Sequence, residues 1–196
     1  MPLAQPSNSA STAAITASSW ERWRLCKQWR HKAVLSFLVM NVLEFLTSPI
    51  AYLPPEKTLE GLSAADAERP IPGAPHSIAE IVAHLAFWQD WFHARCMGQA
   101  APIVSSAAEG WPTATADSWP VVRSRFLDRL QQLAALAEGD ITAPVRPAIE
   151  FPPLAHYTVG EALVHVATHN AHHLGQVIML RQLLGTWPPP AGSFTW

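Results

Sequence analysis

Two short patterns do most to limit what this chain can become. Ser77 is followed three residues later by Glu80, and Thr158 three residues later by Glu161; each pair leads into a long apolar run. A hydroxyl at the cap and a carboxylate at the third helical position satisfy each other's orphan backbone donors, so both pairs mark helix starts. After Ser77, the residues Ile78, Ile81, Val82, Leu85, Trp88 and Phe92 recur at helical spacing until Gly98. After Thr158 the run "TVGEALVHVATHNAHHLGQVIMLRQLLG" continues to Gly185, where "WPPP" ends it.

Two further segments carry the same period. Over about 35–48, Leu35, Leu38, Val39, Val42, Leu43 and Leu46 can share one face before "SPIAYLPPEK" breaks the pattern. Over about 118–138, Val122, Phe126, Leu127, Leu130, Leu133 and Leu136 form a stripe. Asp117 or Ser118 is the expected cap there, with Pro120 in the first turn. A short helical turn is expected in "EKTLEGLSAADAE". No strand pattern stands out, so the expected fold is an all-α four-helix bundle. The Pro- and Ala-rich connections between its later helices are long, and can join neighbours in either direction.

The 196 residues suffice for one domain with a full core plus some excess. Residues 1–34 are small and polar and then basic and Trp-rich, and read as a disordered extension to a domain over 35–196. The apolar run "AVLSFLVMNVLEFL" is short for a membrane span and is interrupted by Asn41 and Glu44, so a core helix is the better reading. From Met40 onward there are 8 basic and 14 acidic side chains, which argues against non-specific nucleic-acid binding. Cys26 and Cys96 lie far apart without CxxC spacing, giving neither a disulfide framework nor a thiolate site; reduced cytoplasmic thiols are expected.

The most informative stretch is "VHVATHNAHHL" at 164–174, with four of the nine histidines in nine positions. Residues four apart on a helix stand one above the other, so His165, His169 and His173 make a slowly drifting stripe, with His172 about 100° round from His173. One ion cannot reach both His165 and His173, which are separated by about 12 Å of helical rise. A metal must therefore take either the 165/169 or the 169/173 pair, plus a ligand from another element. His84, on the apolar side of its helix, is the best third candidate; His76 and His93 look more exposed. Glu80 and Glu161 stand at i−4 from His84 and His165, but the di-iron bundle motif needs Glu-x-x-His and both glutamates already have capping roles. There is no G-x-S-x-G nucleophile motif and no phosphate loop.

Taken together, "HSIAEIVAHLAFWQ" and "HNAHHLGQVIMLRQLLG" make the chain, from about residue 40 to the end, resemble the DinB/YfiT-like family of metal-binding four-helix bundles. The resemblance implies a site of His84, His169 and His173, with Leu174-Gly175-Gln176 completing the motif. It implies that His172 and His165 are not ligands: His172 lines the mouth and His165 lies one turn away in a packed or supporting role. Trp88 is expected as core or pocket wall, and Gln176 beside the site. Three neutral imidazoles leave a zinc or nickel ion an open position for water, and no side chain is assigned a catalytic role beyond that water. Gly175, unfavourable inside a helix, is expected where another backbone or a ligand approaches closely.

Two classes of function follow from the resemblance. One is a metal-dependent hydrolase or a transferase using a low-molecular-weight thiol, acting on a small molecule. The other is a non-catalytic bundle whose ion serves as a structural, sensor or interaction element. A homodimer is implied; neither nucleic acid nor membrane is an expected partner.

Overall fold

Three long helices carry the architecture. In this computed structural model, which describes residues 42–48 and 51–193, they are α4 (Ile78–Cys96), α5 (Trp119–Leu136) and α6 (Val159–Leu183). The helical residues 42–47 are designated α1; two short helices, α2 (Pro55–Thr58) and α3 (Ala64–Glu68), lie between α1 and α4. Single 3₁₀ turns at Ala107–Gly110 and Pro152–Leu154 interrupt the two long connections. The expected extension over 1–34 and the start of the first helix lie outside the described residues. No strand is assigned among the described residues, and their one β-type pairing is the isolated bridge Pro144–Thr158.

Both capping boxes form. Ser77 Oγ accepts from Glu80 N at 3.2 Å while Glu80 Oε2 accepts from Ser77 N at 2.9 Å. Thr158 and Glu161 exchange the same bonds at 3.2 and 2.7 Å. Their carboxylates are thus held at helix ends and are not among the groups gathered with His84, His169 and His173, although Glu80 Oε2 lies 4.0 Å from His76 Nδ1. Gly98 and Gly185, just beyond α4 and α6, take φ of 77° and 71°, the left-handed conformation that ends a helix without a Cβ clash. The start of α5 differs from expectation. Ser118 stands at the cap and its carbonyl accepts from Val122 N at 3.0 Å, but its side chain makes no bond to the helix; its Oγ instead accepts from Thr115 N at 2.9 Å. Residues 115–118 form their own turn, and that local bonding displaces a cap by Asp117 or Ser118.

The pairing of side chains gives the helix directions. Asp90 of α4 accepts from Arg125 and Arg129 of α5 at 2.5 and 2.6 Å, and His93 meets Arg129. Residue numbers rise together, so α4 and α5 run parallel. Against α6 they run opposed: His84 meets His169 and His173, Gln89 meets Asn170, and Phe92 meets His165. Parallel neighbours require a connection that travels back along the bundle, which explains the length of 97–118.

The core has two parts. One joins the first half of α4 (Ile78, Val82, Leu85) to Phe126 of α5 and to Leu174 and Val177 of α6. The other joins Phe92, Leu130, Leu133, Leu163 and Val166 to Val42 and Leu46 of α1. Each fully buried Leu or Phe contributes about 1.5–3 kcal/mol. On α5 the expected stripe narrows to Phe126, Leu130 and Leu133, with Val122, Leu127 and Leu136 only partly covered.

Candidate metal centre

His84 and His173 are buried in the α4–α6 contact, one step along from the buried Gln89–Asn170 pair, with half-buried His169 beside them. Opposed helices bring position 84 level with 169–173, and the one-turn offset of 169 and 173 stacks two rings opposite one. One ring nitrogen of each histidine lies within 4.8 Å of the other two, and His84 Nε2 stands 3.1 Å from His169 Nε2. Two imidazoles sharing a tetrahedral ion at 2.0–2.1 Å would hold their nitrogens ~3.3 Å apart. The donor set and its spacing suit a divalent ion.

Hydrogen bonds settle which nitrogen faces inward. His84 Nδ1 donates to the Gly110 carbonyl at 2.6 Å, leaving Nε2 with a bare lone pair. His173 Nδ1 donates to Gln176 Oε1 at 2.7 Å, with the same result. Fixing the outer nitrogen in this way orients a ligand ring and raises its basicity. Burial lowers the pKa of all three. For His84 it falls to about 4, with the charges of His173 and His76 adding to burial and the Gly110 bond opposing it. For His169 it falls to about 3, burial being followed by the effect of His173 and its other histidine neighbours. His173 is lowered chiefly by burial. All three are therefore neutral near pH 7, the form that binds metal.

Trp111 completes the site from the long α4–α5 connection. Its ring lies between His76 and His84, stacked at 3.8 and 3.7 Å with interplanar angles of 7° and 11°. Sequence reasoning missed both Gly110 and Trp111. Their only signal was a Gly-Trp pair inside a Pro-, Ala- and Ser-rich connection.

The remaining expected residues surround the three rings. Exposed His172 stands beside His173, ring centres 4.8 Å apart, and Gln176 lies beneath it. His165 turns away, bonding Tyr157 Oη through Nδ1 at 3.1 Å and packing on Phe92. Trp88 sets its edge to His84 at 6.4 Å. Gly175 departs from expectation: it is exposed, and a Cβ there would meet nothing within 4 Å, so no close approach requires a glycine. Cys96 is free, but burial pushes its thiol up to about 11, leaving it a poor nucleophile.

Two cavities reach the cluster and share no lining residue. A cleft of about 470 Å³ opens on His173, with His76, Trp111, Gln176 and Met179 around it. A chamber of about 280 Å³ opens on His169.

With this geometry in view, a family model described as the DinB superfamily matches residues 56–177, a span that contains all three histidines. The chain belongs to the DinB superfamily. Comparison with curated proteins and with solved structures returned no match. The helical architecture agrees with the DinB assignment, and no helix among the described residues is long and apolar enough to cross a membrane.

Proposed function

We propose that this DinB protein is a metal-dependent enzyme whose ion is held by His84, His169 and His173. The observation that carries the reading is the inward-facing lone pairs of His84 and His173, each fixed by a hydrogen bond on the opposite ring nitrogen, at a point reached by two cavities. An ion needed only to tie helices together would sit in a closed site. Moreover, α4 and α6 already share a continuous apolar contact through Leu85, Leu174 and Val177.

A divalent ion here would supply a Lewis acid able to polarise a carbonyl and to lower the pKa of water or of a thiol. The protein's own residues do the rest. Gly110 and Gln176 hold two rings in the binding tautomer, burial keeps the imidazoles unprotonated, and Trp111 shields one face of His84 from water. The reading covers hydrolysis of a small ester or amide and transfer to a low-molecular-weight thiol, with zinc or nickel as the ion. It includes the homodimer implied by the family resemblance and the cytoplasmic setting expected from the separated cysteines.

Elemental analysis of untagged protein, repeated on His169→Ala, tests the metal. Near one equivalent in the parent and a large loss in the variant are expected. Unchanged stoichiometry in the variant would overturn the ligand assignment. Turnover against a panel of esters, amides and thiol acceptors tests the enzyme reading, with His84→Ala losing activity while keeping most of its melting temperature. A collapse in melting temperature would instead favour a structural ion.

A further inference from the structure

The chamber beside His169 has a composition that the metal site does not require. Its walls are Trp88, Trp91, Phe92, Ile103, Phe151 and Leu154, and the titratable side chains lining it are His165 and His169. No Asp, Glu, Lys or Arg lines it. The aromatic walls are packed edge to face, Trp88 on Trp91 at 5.8 Å and Trp91 on Phe92 at 5.0 Å, so their directions are fixed before anything binds. The Trp91 indole N–H is already donated to the Pro102 carbonyl at 2.8 Å. Arg95, over the Trp91 ring, donates to the Ala101 carbonyl. At the rim, Ile103 and Phe151 remain 38 % and 47 % exposed, from two different connections. Large apolar side chains left in water around an apolar hollow mark a place where a ligand covers them.

We propose that this chamber holds an uncharged aromatic group of the reacting molecule, placing its functional group at His169. The proposal rests on the metal-enzyme reading and names the substrate class for it. Size supports one or two fused rings: an apolar cavity of ~150 Å³ accepts benzene, and this one has about 280 Å³. Charge is excluded because a buried ion without a partner loses several kcal/mol of hydration. The separate cleft at His173 leaves the second reactant its own approach, so the aromatic group need not move aside for it.

The test uses full-length protein as purified and fluorine NMR of two probes, a trifluoromethyl-substituted benzyl alcohol and the matching benzylammonium. Saturable binding of the alcohol is expected, with the ammonium at least ~10-fold weaker, a difference of about 1.4 kcal/mol or more. Ile103→Trp and Leu154→Trp, filling the chamber from different connections, should each weaken the alcohol by a similar factor. Two variants guard against one that fails to fold, and circular dichroism checks both. Equal binding of the two probes overturns the proposal. So does loss of binding on Leu183→Trp in the cleft with both chamber variants unaffected, or no saturable binding at all. Protein stripped by a chelator is run alongside and should still bind the alcohol, because the contacts are with the walls. Absence of metal from the purified protein with probe binding intact would therefore sink the metal reading and leave the chamber standing.

Discussion

The Nδ1 of His84 lies 2.6 Å from the carbonyl oxygen of Gly110, a residue 26 positions away in a connection with little regular structure. That bond ties the chemistry of a rigid helix to a loop. It also explains why residue 110 is glycine: a Cβ there would stand 3.0 Å from Trp88 Nε1 and 3.2 Å from two carbons of the same ring. Gly110→Ala should shift either the indole or the carbonyl. Loss of a hydrogen bond that orients a metal-binding histidine typically costs about 10–100-fold in metal affinity. Competition against a chromophoric chelator would read this, and an unchanged affinity would show that the loop does not position the ring.

Acid should destabilise the metal-free protein through its histidines. His84 and His169 titrate near 6.5 when unfolded but near 4 and 3 in the fold, so between those values the unfolded chain carries protons the native one lacks. Their stabilising effect is complete above pH 6.5 and is lost progressively as pH falls toward the folded values. Melting temperature followed from pH 7.5 to 4.5 after chelation should drop steeply below about 6.5. The double variant His84→Ala/His169→Ala should show a flatter profile.

Gly175 offers a gain. It is an exposed position inside α6 with open space where a Cβ would go. Gly175→Ala should add about 1 kcal/mol, or about 2–4 °C in melting temperature for a domain this size. A decrease would mean that the helix must flex or admit a neighbour there.

Arg181 offers the opposite. Its buried guanidinium donates to the carbonyls of Thr58, Glu60 and Thr186, fastening α6 to the turn after α2 and to its own C-terminal exit. Arg181→Met would strand those acceptors, of which the Thr58 carbonyl belongs to a fully buried residue. A loss of about 2–5 kcal/mol is expected in urea unfolding.

Much of this was legible beforehand because helices announce themselves locally. Ser77–Glu80 and Thr158–Glu161 act over three residues, and the helical repeat alone puts His169 one turn from both His165 and His173, the choice of the 169/173 pair coming from the family resemblance. The opposing position of His84 needed tertiary knowledge, which the family resemblance supplied. Helix direction was not legible, since a long connection permits either. Gly110 and Trp111 escaped for a related reason: their roles depend on where a loop lands, and no periodicity encodes that. Gly175 misled because a helix glycine reads alike whether something crowds it or nothing does.

The parallel course of α4 and α5 gives one strap of chain two duties. On its way back along the bundle it supplies, through Ile103, part of the chamber wall and then the carbonyl and indole beside the histidines. The α5–α6 connection contributes Phe151 and Leu154 to that wall and makes no contact with the histidine cluster's hydrogen bonds. Selectivity can thus be re-engineered through residues 151–154 at little risk to the centre, whereas lengthening or shortening the strap would change grip and selectivity at once.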